Sequence, residues 1–294
     1  MNALVQNSVK QGKLMFNGLI CVETSHKRRH VLMKEVLLIG ENGFLGKELK
    51  SELIKEKRYK VTSTSRNASS DLFFDLNKNH NLKLEKYSVV ILLAAITNIK
   101  QCEDNVELCF TTNVTSTIKF IDEAVSNGCF VVFPSSNSVF DGKKQFYSIN
   151  EVHSPITKYG VSKSIVEKWI VKKHPNNVAI LRLTKVLPEK GYAPFVKKWL
   201  ADVASVGTSK VFTNHFISPI STGDVAKAIK KLIEFGSGGV FQKGADVEFS
   251  YLEYASDILK EMPEVRAKLK ASRQGDRNFY NSLKTFLPEC NIKG

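Results

Sequence analysis

Tyr159 and Lys163, in the run YGVSK, stand four residues apart and so share one face of a helix. An ammonium beside a phenol favours the phenolate and draws a pKa that is ordinarily about 10 toward the range of a general acid. Tyr280 and Lys284 repeat the spacing in the C-terminal tail, so the spacing gains meaning only from what precedes it. Upstream, Cys129 to Pro134 reads as a buried strand that delivers Ser135 and Ser136 at its C-terminal end, and Tyr159 follows 23 residues after Ser136. That edge of the strands is where α/β sheets place their sites.

The element that must come before this set is a place for a larger, charged molecule. Val36 to Ile39 reads as a strand buried on both faces and gives way to three glycines, Gly40, Gly43 and Gly46, after which helical periodicity runs from Phe44 to Lys57. A side chain at Gly40 would obstruct the exit from the strand, one at Gly43 would hold a pyrophosphate off the backbone, and one at Gly46 would push the helix from the sheet. The free N–H groups of the turn, with Phe44 and Leu45 opening the helix, face an anion at the positive end of the helix dipole. The spacing G-x-x-G-x-x-G departs from G-x-G-x-x-G, yet strand, turn and helix together predict a dinucleotide site.

Tyr59 to Ser65 reads as the second strand and ends at Arg66 with no acid beside it. In a dinucleotide fold a carboxylate here selects a free ribose 2′-OH, whereas an arginine accommodates a 2′-phosphate, so NADP(H) is favoured and NAD(H) stays open. Leu72 to Asp75 reads as a short third strand. Asp75, beside Leu76, either accepts from adenine or caps the turn before Asn77. Tyr87 to Ala95 is another buried strand whose small Ala94 and Ala95 either let the backbone approach a cofactor or pack the core. Glu103 to Asn127 reads as one long helix closed by Gly128.

A chain of 294 residues with 43% hydrophobic and 24% charged residues is long enough for a sizeable core. The net charge of +14 would suit nucleic acid, an anionic membrane or a phosphorylated small substrate. The basic residues are scattered, with no stripe interleaved with aromatics, which argues against nucleic acid. No apolar run approaches the ~20 residues that span a bilayer. The five cysteines (Cys21, Cys102, Cys109, Cys129, Cys290) are odd in number and lack a C-x-x-C pair, as expected of reduced cytoplasmic thiols, and the scattered histidines indicate no metal site.

Strand and helix alternate from Met33 onward, which predicts an α/β, Rossmann-type doubly wound parallel sheet. The expected organisation is an extension over residues 1–32 with Met33 as the natural start, a dinucleotide-binding domain over 33–186, and a smaller substrate-binding subdomain over 187–294. Val240 to Gln242 is expected to return to the edge of the main sheet, so that the two interleave. Thr222 to Phe235 reads as a helix opened by Thr222 and Asp224.

These motifs together resemble the extended short-chain dehydrogenase/reductase superfamily and, within it, the dTDP-4-dehydrorhamnose reductase branch. The resemblance is carried by GENGFLG at 40–46, VVILLAAIT at 89–97, CEDN followed by Asn113, PSSNSVFDG at 134–142 and YGVSK at 159–163. It continues through LRLTKVL at 181–187 and the segment from Ile217 to Ala226. It implies that Tyr159 donates a proton to a sugar keto oxygen, that Lys163 holds the nicotinamide ribose and depresses the tyrosine pKa, and that Ser136 bonds the reacting carbonyl. It implies cofactor contacts from the glycine turn, from Arg66, Asp75 and Leu76, from Ala94, Ala95 and Thr97, and from Tyr159 and Lys163. Asn113 would fix backbone geometry beneath the site, and Asp141 with Gly142 would form a turn at the substrate mouth.

The branch usually shows S-T-D-Y where this chain has Ser135-Ser136-Asn137-Ser138, so the identity of the sugar is open. Arg182 is expected to be structural at a strand end, with His215 or Phe216 near the sugar. The implied activity is NADPH-dependent reduction of a nucleotide-linked 4-keto-6-deoxy sugar for surface polysaccharide, in a cytoplasmic protein that binds no membrane, with a homodimer left open. An epimerase or dehydratase of the same superfamily and a non-catalytic NADP-binding regulatory subunit are the alternatives.

Overall fold

The computed structural model describes residues 33–67 and 70–289; the expected N-terminal extension, Cys21 and Cys290 lie outside them. Seven parallel strands form the central sheet: β1 (Lys34–Ile39), β2 (Tyr59–Ser65), β3 (Leu72–Phe73), β4 (Val89–Leu92), β5 (Phe130–Ser136), β6 (Val178–Leu183) and, later in the chain, a strand over Gly239–Lys243. Their order is β3-β2-β1-β4-β5-β6 followed by that last strand, and the order reverses at β1 and β4. A crevice opens at such a reversal, outside the carboxyl ends of the strands.

The strands alternate faces as a period of two requires. Val36, Leu38 and Val132 pack on one side with Leu49 and Leu53 of helix α1 (Phe44–Ile54). Leu37, Ile39, Val131 and Phe133 pack on the other. The helical stretch expected as one piece is broken: α2 (Ile99–Asp104), α3 (Val106–Phe110), a π-helical stretch over Thr111–Ser116, and α4 (Thr117–Ser126). Asn98 and Asn105 cause the restarts, because each side chain accepts from a backbone N–H three residues on and so opens a helix. Helix α5 (Lys158–Lys173) then covers the face carrying Phe133, with Val166 and Ile170 in that core.

Beyond β6 come β7 (Lys185–Leu187), α6 (Pro194–Val206), β8 (Ser209–Phe212), β9 (Phe216–Ile217) and β10 (Pro219–Ser221). Helix α7 (Thr222–Phe235) follows, with Ser221 rather than Thr222 as its cap, accepting from the Asp224 N–H at 3.0 Å. The chain then returns through β11 (Gly239–Lys243) to pair with β6, and finishes with β12 (Phe249–Ser250), α8 (Tyr251–Ile258), α9 (Pro263–Arg266) and β13 (Leu269–Ser272). Helices α6 and α8 share a separate apolar cluster around Trp199, Val196 and Ala255. Among the described residues no helix is long and apolar enough to cross a membrane.

Arg182 is structural, and its environment explains why. Its guanidinium bonds Glu167 through Nε at 2.9 Å and Gln242 through Nη1 at 3.0 Å, and also meets His153, so that α5, β6 and β11 are tied together below the strand ends. Burial pushes the Glu167 carboxyl up, but bonds from His153, Arg182 and Ser135 outweigh this and hold it below the ordinary carboxylate range. Removing one partner leaves a buried charge alone. Arg182→Met is therefore expected to cost about 3–5 kcal/mol in urea unfolding, and the double variant Arg182→Met with Glu167→Leu to recover most of that loss.

Candidate active site

Strand β5 runs two residues past Pro134, so Ser135 and Ser136 are still in the sheet, level with Arg182 and Leu183 of β6. A proline is tolerated there because pairing with β4 has already ended at Val132, leaving no ladder partner for an N–H on that side. The Pro134 carbonyl instead accepts from Lys163 Nζ at 2.9 Å, and the ammonium lies 4.4 Å from the Phe133 ring centre. Helix α5 is capped by Thr157, whose hydroxyl accepts from the Gly160 N–H at 3.0 Å. Tyr159 and Lys163 thus sit, both buried, on the face turned to the end of β5.

Burial pushes the Tyr159 phenol up to about 12, against the bond with Ser136, which works to lower it; Cys102 and Cys109, packed on the same ring, push it further up. Burial pulls Lys163 down to about 8, opposed by Glu167 one turn along the helix. The expected depression of the phenol by Lys163 is therefore not what this structure has. The ammonium bonds the strand carbonyl, and desolvation dominates both groups.

Gly160 is a site residue that sequence reasoning missed. A β carbon there would lie 2.1 Å from the Ser138 carbonyl oxygen, so only glycine lets the first turn of α5 come against the segment that follows Ser136. The signal was present, since glycine inside a helix costs about 1 kcal/mol relative to alanine and calls for a reason. Asn113 does fix backbone: its amide accepts from Ile96 N and donates to Ile96 O, both at 2.8 Å, just beyond β4.

Beyond β5, Asp141 Oδ1 accepts from the Tyr147 hydroxyl at 2.5 Å and from the Lys143 N–H at 3.2 Å. Gly142 (φ +68°) is covered by the Phe279 ring, which a β carbon would meet at 2.5 Å. Asn137 donates to Asn281 at 2.6 Å, and Asn281 donates to the Phe216 carbonyl at 2.8 Å, so the tail bridges the end of β5 to β9. Tyr280 stacks on Phe216 outside any helix and forms no second pair with Lys284. His215 lies between Phe212 and Phe279.

The glycine turn has the shape a dinucleotide needs. Gly40 takes φ +97°, and a β carbon on it would come 3.0 Å from Ala94 N; one on Gly46 would come 2.4 Å from Gly40 O. Helix α1 opens at exposed Gly43 with no side-chain cap and no acid in its first turn, so the N–H groups at Phe44 and Leu45 meet a positive, uncompensated helix end. Arg66 is exposed at the end of β2. Asp75 Oδ1 accepts from Asn77 N at 3.0 Å, so the carboxylate does cap the turn. Leu76 and Ala94 pack against the core, Ala95 is partly buried, and Thr97 is exposed. By shape and charge these residues fit a dinucleotide.

The profile of the family described as the RmlD substrate binding domain matches residues 33–279. The chain belongs to this family. It is thus a member of the extended short-chain dehydrogenases/reductases, in the branch similar to dTDP-4-dehydrorhamnose reductase. It is 30% identical over 220 residues, 72% of this chain and 73% of the relative, to a probable low-salt glycan biosynthesis reductase of Haloferax volcanii. It is 26% identical over 207 residues, 69% of this chain and 68% of the relative, to the dTDP-4-dehydrorhamnose reductase of Aggregatibacter actinomycetemcomitans. The fold is shared with the dTDP-4-dehydrorhamnose reductase of Bacillus anthracis, solved in complex with NADP (TM-score 0.72, 21% identity, 86% of this chain and 89% of that one).

In this RmlD-family chain the turn leaves no room at Gly46. Gly46→Ala is expected to weaken NADPH binding, read by fluorescence titration, by about tenfold or more and to cost about 1–3 kcal/mol of stability through overpacking.

Proposed function

We propose that this protein is an NADPH-dependent reductase of a nucleotide-linked 4-keto-6-deoxy sugar, similar to dTDP-4-dehydrorhamnose reductase and serving surface-polysaccharide synthesis in the cytoplasm. The observation that carries the reading is the junction of Ser136, Tyr159 and Lys163 at the strand ends, in a chain of the RmlD family whose glycine turn fits a dinucleotide. The cofactor would be held by Gly40, Gly43 and Gly46 with the N–H groups of Phe44 and Leu45 at its pyrophosphate, and by Arg66 at a 2′-phosphate. Leu76, on the turn that Asp75 caps, would meet the adenine, and Ala94, Ala95 and Thr97 would flank the cofactor along the crevice. When bound it supplies the hydride.

The protein's own part is proton transfer. A phenol pushed up to about 12 keeps its proton at neutral pH and is a donor to a keto oxygen that gains negative charge. Ser136, buried beside it, orients that oxygen, and the Lys163 ammonium would bond the nicotinamide ribose. Residues 187–294 are assigned to the sugar nucleotide and 33–186 to the cofactor, with β11 returning to the main sheet.

The direct test is NADPH oxidation with dTDP-4-dehydro-6-deoxy-L-mannose. Tyr159→Phe is expected to lower kcat by about 10²–10⁴-fold while NADPH still binds. Bound NADPH with no turnover of any 4-keto sugar would favour the regulatory alternative. Reduction needs both Tyr159 and Lys163 protonated, and Lys163 titrates first. So kcat/KM is expected to fall as pH rises through about 8, and Lys163→Arg, which stays charged, to move that limb upward. Gly160→Ala, which displaces α5 from Ser138, is expected to cost about 10²-fold in kcat.

A further inference from the structure

Just past the strand ends lies a charge that the fold leaves unanswered. Leu183 is level with Ser136 across the β5–β6 pair, and Lys185 comes two residues later in the chain, just beyond the C-terminal end of β6. Lys185 opens β7, opposite Pro219 of β10, where the chain leaves the main sheet.

Its surroundings are apolar. The side chain is partly buried, and its ammonium lies 5.0 Å from the centre of the Phe195 ring, which itself packs on Trp199 and Tyr251. Among the described residues it has no carboxylate and no carbonyl as acceptor. Most other partly buried lysines do: Lys50 has Glu41, Lys34 the Ile233 carbonyl, Lys230 Glu56. The neighbouring Thr184 hydroxyl is also buried with no hydrogen-bond partner. Burial draws Lys185 below the ordinary lysine range with nothing opposing it. An aromatic face offsets little of the cost of holding an ammonium out of water.

We propose that Lys185 is a specificity-determining residue whose ammonium takes an anionic oxygen of the sugar nucleotide. This rests on the reading of the site as a sugar-nucleotide reductase. Two parts of such a substrate carry that chemistry: the diphosphate joining nucleoside to sugar, and an acid group on the sugar itself. A desolvated ammonium without a protein partner binds either more strongly than a solvated one, because its water has already been removed.

The experiment uses the full chain with NADP⁺ present and measures binding of dTDP, UDP-glucose and UDP-glucuronate by calorimetry. Lys185→Met is compared with wild type, with Lys185→Ala as a second truncation and Lys185→Arg as the charge-keeping control. Loss of about tenfold or more on all three probes in Lys185→Met, retained in Lys185→Arg, supports the proposal and assigns the diphosphate. The same loss confined to UDP-glucuronate supports it and assigns a sugar acid. Thermal melts add an independent readout: Lys185→Met is expected to melt at or above wild type, since an unpartnered charge has been removed. Unchanged affinity for every probe overturns the inference and leaves the reductase reading standing. If NADP⁺ binds but no probe binds wild type, both fall.

Discussion

The bond from Lys163 Nζ to the Pro134 carbonyl ties the helix bearing Tyr159 to the strand that ends in Ser136. Together with the bond from Ser135 to Glu167 it gives direction to the apolar packing between Phe133, Val166 and Ile170, which fixes how close the two elements come but not how they slide. A buried ammonium is costly, and it stays in place because a carbonyl, the Phe133 ring and the Glu167 field each offset part of that cost. The absence of a ladder partner beside Pro134 is what frees the carbonyl to serve. A proline that looks like the end of a strand is instead the point where the sheet hands a bond to the helix.

Beneath this junction, Glu167, Arg182, His153, Ser135 and Gln242 form a buried polar network across α5, β6 and β11. Ser135 and Ser136 are consecutive, and both meet side chains of α5, Glu167 for the first and Tyr159 for the second. Ser135 points into the network and Ser136 toward Tyr159. The network fixes the strand end, and the strand end fixes the hydroxyl.

The tail packs on the segment beyond β5 by contacts that are individually modest. Phe279 covers Gly142, Tyr280 stacks on Phe216 and donates its N–H to the Gly142 carbonyl at 2.9 Å, and Asn281 joins Asn137 to Phe216. Asn214, fully buried, donates to the Arg277 carbonyl at 2.8 Å and holds the preceding loop. Residues more than 60 positions apart are thus joined, and the tail is tied to the segment that follows Ser136.

Local and periodic features were legible along the chain: the buried strands, the glycine turn, and the alternation that makes a parallel sheet with helices on both faces. The pairing of Tyr159 with Lys163 was legible because a helix brings residues four apart onto one face. The broken helix between Ile99 and Ser126 was less so, since Asn98 and Asn105 cap by side-chain bonds that an apolar period does not register. The partners of the charged groups came from packing between elements. That Arg182 bonds Glu167, that Lys163 bonds the Pro134 carbonyl, that Gly160 makes way for Ser138, and that the Lys185 ammonium lies over Phe195 are facts of packing between separate elements. Desolvation depends on everything packed around a group, and no spacing along a sequence encodes that.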